Sequence, residues 1–228
     1  SLAEPFKLDK RRYAVGASIG ISVFPDDGLD PNTLVRQADL AMYQAKKRRS
    51  GFEYFSDELN TVAQQQLSLE NGLRQALDHG ELALAYQPKL DLASGRVVGL
   101  EALVRWLPRS GGMISPDRFI PVAEETGLIM PLGRWVARAS CEQWIAWRNA
   151  GLNPPPVAIN LSPRQFNDAH LIDDIDAILA ETGMDAAHLQ LEVTESAAME
   201  DPQRTFEMLG ALRQRGLQPA VQRQHLRR

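Results

Sequence analysis

The sequence predicts an α/β fold: an incomplete TIM-like (β/α) barrel preceded by a short, separate α/β segment. Three observations carry this. From Glu81 onward, apolar strand-like runs alternate with helical stretches. The polar residues of chemical interest fall where those runs give way to loops, the face on which βα barrels keep their sites. A polar helical stretch containing Gln64-Gln65-Gln66 separates this region from an earlier strand–helix–strand pattern. An open doubly wound sheet is the alternative for repeated βα units, but no Gly-rich phosphate loop follows any strand here.

Taken in order, residues 13–24 read as a strand and Pro25-Asp26-Asp27-Gly28 as a turn. Asp30-Pro31 starts a helix, with Leu34, Ala38, Met42 and Ala45 on one face. Its last turn is basic (Lys46, Lys47, Arg48, Arg49), which suits the negative end of the helix dipole, and Gly51 stops it. Residues 52–55 form a short edge strand. Residues 57–79 form a long helix, solvated in its first half and carrying Leu69, Leu73, Ala76 and Leu77 in its second. Beyond it, strands are expected at 82–92, 97–106, 156–161, 189–193 and 217–221. Helices are expected at 116–126, 128–151, 166–182 and 202–215. Near-continuous apolar strands point to a parallel sheet. The organisation is then an α/β segment over 1–56, a helical linker over 57–69, a partial barrel over 70–221 and a basic tail over 222–228.

The 228 residues are 44% hydrophobic and 24% charged, an ordinary globular composition. A net charge of −4 gives no basic field for nucleic acid. The arginines toward the C-terminal end, Arg213, Arg215, Arg223, Arg227 and Arg228, lack interleaved aromatics and read as solvated or disordered. A single cysteine, Cys141, excludes a disulfide framework and a cysteine metal site, and fits a reducing, cytoplasmic setting. No apolar run approaches the ~20 residues of a membrane span, and no signal peptide is expected. The chain opens in mid-pattern at Ser1, so a longer parent, with a membrane anchor elsewhere, is compatible with it.

Glu101, Asn160 and Glu192 each stand at an expected strand end and each offers a hard oxygen. In a barrel such positions converge, and their donors suit Mg²⁺ or Mn²⁺. Arg105, four residues after Glu101, would neutralise a substrate phosphate through its fork of donors. Each residue alone reads more readily as a locally paired polar cap; three at equivalent strand ends favour a site.

Several motifs in order carry a resemblance. Glu101-Ala102-Leu103 with Arg105-Trp106, Tyr86-Gln87-Pro88-Lys89, the run from Phe119 to Ile129, Ile159-Asn160-Leu161-Ser162, and Leu191-Glu192-Val193-Thr194-Glu195-Ser196 resemble the signatures of the EAL domain family. The resemblance implies a modified βα barrel that hydrolyses cyclic di-GMP to linear pGpG with divalent metal. It implies Glu101, Asn160 and Glu192 as metal ligands, Glu101 and Glu195 as the catalytic carboxylates and Arg105 on a phosphate. Gln87 would lie near the substrate, and Glu195 would steady the loop that carries further ligands. The segments 17–22 and 38–46 resemble the last third of a GGDEF (diguanylate cyclase) domain. That family's signature loop is absent, so Asp39 and Lys46 are read as remnants.

The resemblance breaks after the last expected strand. Gln222-Arg223 stand where the family carries an Asp-Asp loop. Residues 70–228 number about 160 against ~250 for a whole barrel. The expectation is therefore an incomplete metal site, exposed sheet edges and little or no hydrolysis by this polypeptide. The rival reading is a degenerate module that binds cyclic di-GMP or a protein without turnover. Homodimer formation is a further expectation of the family pattern.

Overall fold

The computed structural model describes residues 6–8, 11–13 and 16–222. The chain divides into two compact units between Ser68 and Leu69.

In the first unit β1 (Phe6–Leu8) and β2 (Arg11–Tyr13) pair antiparallel. β3 (Ile19–Ile21) leads to α1 (Pro31–Arg48), and β4 (Phe52–Tyr54) returns parallel to β3. The strand expected over 13–24 is thus much shorter. The following turn begins at Val23, whose N–H donates to Asp27 Oδ2 at 2.6 Å while Asp27 N–H returns to the Val23 carbonyl at 2.8 Å. Asp30 caps α1 by accepting from Thr33 N–H at 3.0 Å. A Cβ on Gly20 would lie 1.8 Å from the Ala38 carbonyl oxygen and 2.2 Å from Met42 N, so strand and helix meet backbone to backbone. Burial on α1 centres on Ala41, Gln44 and Ala45, and the two alanines let the helix close down. Met42, expected inside, is exposed.

α2 (Asp57–His79) is one continuous helix. The second unit continues with β5 (Leu82–Leu90), β6 (Val97–Trp106), α3 (Pro116–Thr126) and α4 (Ile129–Asn149). There follow β7 (Val157–Leu161), α5 (Pro163–Phe166) and α6 (Leu171–Thr182). After a 3₁₀ turn at Ala186–His188 come β8 (Leu189–Thr194), α7 (Glu195–Glu200), α8 (Pro202–Gln214) and β9 (Gln218–Gln222). The strands form one sheet, ordered β5-β6-β7-β8-β9, a partial barrel-like wall.

Two expectations change here. β5 runs antiparallel to β6, while the other pairs are parallel. The reason is local. Asp91 Oδ1 accepts from Ser94 N–H at 2.7 Å, Gly95 N–H donates to the Asp91 carbonyl at 2.8 Å, and Gly95 takes a φ of 66°. That turn is far too short for a crossover helix. The helix expected over 166–182 begins only at Leu171, and Phe166 instead ends the separate α5, which Ser162 opens with a reciprocal cap to Gln165.

Strand pairing sorts side chains onto two faces. One face is apolar: Leu84, Tyr86, Ala102, Ile159, Leu191 and Val193 pack against Cys141 and Trp144 of α4 and Ile175 of α6. A second cluster joins α2 to α3 and α4 through Leu73, Trp106, Phe119 and Leu132. The other face carries Gln87, Lys89, Glu101, Asn160, Gln190 and Glu192. β8, Leu-Gln-Leu-Glu-Val-Thr, therefore alternates rather than reading as continuously apolar.

Burial in the first cluster makes the fold alkali-sensitive. Desolvation pushes the Cys141 thiol up to about 11. Desolvation, with Cys141 as a nearby negative charge, pushes the Tyr86 hydroxyl up to about 12. Both groups ionise more readily in the unfolded chain, so that state sheds protons first and stability falls as pH rises. Urea midpoints are expected to drop between pH 8 and pH 10.5, with Cys141 contributing about 1–2 kcal/mol of the loss. Cys141→Ala should flatten the decline; an equally steep decline in that variant would refute the assignment.

Candidate functional site

The polar face assembles a row across four strands. Gln87 on β5 stands directly opposite Glu101 on β6. Asn160 on β7 is level with Glu192 on β8. Glu101 is level with Ala158, one same-face position below Asn160, and Asn160 Nδ2 donates to Glu101 Oε1 at 2.8 Å. Glu192 is the buried member, 4% exposed, and Lys89 Nζ donates to its Oε1 as an ion pair. On β9, Ala220 is level with Glu192 and Gln222 with Thr194.

Glu101 does not end a strand as expected; it is the fifth of ten residues in β6. β6 pairs with β7 only as far as Ala102–Ile159, then continues against antiparallel β5 as far as Trp106–Leu82. Glu101 therefore sits near the end of the parallel-paired part, which is what brings it beside Asn160.

Arg105 lies on the same face of β6 as Glu101, and its Nη1 donates to the Val104 carbonyl at 2.9 Å. Where β6 parts from β7, a cavity of about 110 Å³ opens between Arg105, Asn160, Gln165, Leu132 and Val136. Asn160 is held from behind: β7 ends at Leu161, and Ser162 at once caps α5. Ser162 Oγ accepts from Gln165 N–H at 3.3 Å, and Gln165 Oε1 accepts from Ser162 N–H at 3.0 Å. Glu195 stands apart from the row, exposed at the first position of α7, a helix not expected from the sequence.

Glu124, near the end of α3, has its carboxyl raised above the usual range by desolvation and by neighbouring Glu125. Arg164 of α5 donates to the Glu124 carbonyl and, at 3.4 Å, to the Glu125 carbonyl, tying the end of α3 to the loop that follows Asn160.

The donor types fit a small hard cation. Glu101, Asn160 and Glu192 bring carboxylate and carboxamide oxygens to one face, and an ammonium already resting on Glu192 marks a place that takes positive charge. Among the described residues no group of three or more His, Cys, Asp or Glu is assembled.

Lys89, the last residue of Tyr86-Gln87-Pro88-Lys89, is a participant that the sequence alone does not single out. The available signal was its spacing: two residues after Gln87 in a strand places it on the same face.

Comparison with known proteins bears on this arrangement. The family model described as the EAL domain matches residues 70–223. The chain belongs to the EAL domain family. A second model, the GGDEF domain of diguanylate cyclases, matches residues 1–51, so the EAL domain is preceded by a GGDEF fragment. The chain is 40% identical to the bifunctional diguanylate cyclase/cyclic di-GMP phosphodiesterase MucR of Pseudomonas aeruginosa, over 95% of this chain and 32% of MucR. It is 39% identical to the cyclic di-GMP phosphodiesterase NbdA of the same organism, over 96% of this chain and 28% of NbdA. It thus spans about a third of such relatives or less. Among solved structures, the MucR phosphodiesterase in complex with cyclic di-GMP superposes with a TM-score of 0.65 at 40% identity, covering 68% of this chain and 62% of that one. The EAL domain of Xanthomonas citri FimX with cyclic di-GMP gives 0.63 at 26% identity, covering 71% and 62%. Among the described residues of this EAL chain, no helix is long and apolar enough to cross a membrane. Of the basic tail expected over 222–228, Gln222 instead ends β9, and residues 223–228 lie outside the described residues.

Proposed function

We propose that this chain acts in cyclic di-GMP signalling, binding the dinucleotide over the polar face of its EAL sheet. The observation that carries the reading is the row Gln87, Glu101, Asn160 and Glu192 on four neighbouring strands, with Arg105 on the same face. The phosphodiesterase and the cyclic di-GMP complexes among its relatives support the choice of ligand.

Glu101, Asn160 and Glu192 would hold Mg²⁺ or Mn²⁺. A bound ion of this kind lowers the pKa of a water and polarises a phosphoryl oxygen. The chain's own residues supply the rest. Arg105 stands four residues from Glu101, and its guanidinium neutralises a phosphate beside the carboxylates. Gln87, opposite Glu101, offers an amide to the substrate. The Ser162–Gln165 cap fixes Asn160 by holding the backbone that follows it. Glu195, at the start of α7, orders the segment after β8.

In this polypeptide the reading is binding with little turnover. Gln222 occupies the β9 position level with Thr194, and Gln222-Arg223 replace the Asp-Asp pair of the family pattern. A lost carboxylate pair removes several kcal/mol of metal-borne stabilisation, so hydrolysis is expected to be about 10³-fold or more slower than by the MucR EAL domain. The test is calorimetric titration with cyclic di-GMP, with and without Mn²⁺, and chromatography of the same samples for pGpG. Mn²⁺-dependent binding without product is the expected result. Turnover within tenfold of MucR would overturn the low-activity reading. Absence of binding by a chain that melts cooperatively would overturn the ligand.

A further inference from the structure

Lys89 and Glu192 are 103 residues apart in sequence and lie on β5 and β8, with two strands between them. Their ion pair therefore crosses the polar face. Gly99 stands opposite Lys89 on β6. A Cβ on Gly99 would lie 3.7 Å from Lys89 Cδ and 3.8 Å from its Cβ, ordinary contact distances, so the lysine stem runs over that glycine. At the far end Glu192 is 4% exposed and Lys89 29%.

A carboxylate buried this deeply needs a compensating charge. An ammonium on a flexible four-carbon stem is a compact point charge that can both supply it and withdraw to water. A divalent ion uses the same carboxylate oxygens as ligands. Ammonium and divalent ion repel one another at such separations, so the two do not share Glu192 at full strength.

We propose that Lys89 is the resident counter-cation of the metal site, and that divalent-ion binding proceeds by exchange: the ion takes Glu192 as the Lys89 ammonium leaves it. The inference rests on the reading of Glu101, Asn160 and Glu192 as a metal site. It assigns Lys89 a positioning role, holding Glu192 inward in the metal-free protein and setting the metal concentration at which the site fills.

The test needs no nucleotide. MnCl₂ is titrated calorimetrically into the 228-residue chain and into Lys89→Met, Lys89→Gln, Lys89→Arg and Glu192→Gln variants. Lys89→Gln keeps a hydrogen-bond donor and guards against a Lys89→Met variant that does not fold. The neutral Lys89 variants are expected to bind Mn²⁺ at least tenfold more tightly than the parent, and Lys89→Arg to stay within threefold of it. Acetylation of Lys89 by acetic anhydride, read by peptide mass spectrometry, should rise severalfold when Mn²⁺ saturates the parent. If the neutral variants bind no more tightly while Glu192→Gln loses Mn²⁺, the site stands and the exchange falls. If Glu192→Gln binds Mn²⁺ as the parent does, or no variant binds it, the metal-site reading falls and the exchange with it.

Discussion

Trp106→Ala is expected to destabilise the EAL unit by about 3–5 kcal/mol, the usual cost of emptying a buried tryptophan site. Trp106 is 2% exposed and meets Phe119 edge-to-face at a centroid separation of 5.6 Å. Its indole N–H reaches Glu81 Oε2 at 3.4 Å. It also lies under Gly72 of α2, where an added Cβ would come within 3.0 Å of the ring. The side chain thus ties β6, α2 and α3 together. Neighbours on three elements hold the hole open, so collapse recovers little. Since a domain is stable by only about 5–15 kcal/mol, the loss takes a large share of the total. Urea unfolding of parent and variant measures it, and a difference under 1 kcal/mol would show that the site closes up after all. Trp106→Phe, which keeps the edge-to-face contact, should cost well under half as much.

The sequence was most legible where signals are local. Asp30-Pro31 marked the start of α1, and Pro116 and Pro202 the starts of α3 and α8. Two further local signals lie in the sequence. Ser162-Pro163-Arg164-Gln165 is a capping box, which places a helix start before Phe166. Asp91 to Gly95 is a tight turn, which forces β5 and β6 to be antiparallel.

The row on the polar face was legible in part. Strand periodicity puts Gln87 with Lys89, and Glu192 with Gln190, on common faces. It says nothing about register between strands. The offset of one same-face position that seats Glu101 beside Asn160 depends on where β6 stops pairing with β7, a tertiary fact. The Lys89–Glu192 pair spans two intervening strands, so no local pattern encodes it. On α1 the helical period places Ala45 inside, where it is fully buried, but it also groups Met42 with Ala38 and Ala45, whereas Met42 is exposed and burial extends to Ala41 and Gln44.

Gly133→Ala shows how a packing contact can reverse a propensity. In an exposed helix interior, glycine to alanine gains about 1 kcal/mol. Here a Cβ on Gly133 of α4 would fall 1.6 Å from Gln165 Nε2 and 2.8 Å from Gln165 Cδ. Gln165 is 5% exposed and its Oε1 holds Ser162 N–H at 3.0 Å, so it has little room to yield. Evicting it breaks the reciprocal cap, worth about 1 kcal/mol, and leaves buried polar groups unpaired at about 1–3 kcal/mol. Set against the propensity gain, the expected net effect is a loss of about 1–3 kcal/mol, with weaker Mn²⁺ and cyclic di-GMP binding because Ser162 follows Asn160 by two residues. A double-mutant cycle isolates the cause. In the Gln165→Ala background the collision is gone, and Gly133→Ala should then be neutral or stabilising. If Gly133→Ala costs the same with and without Gln165, the contact is not what requires glycine in α4. A coupling of 2 kcal/mol or more would mean that the cap beneath Asn160 is held by the closeness of α4, and so that helix packing sets the geometry of the site.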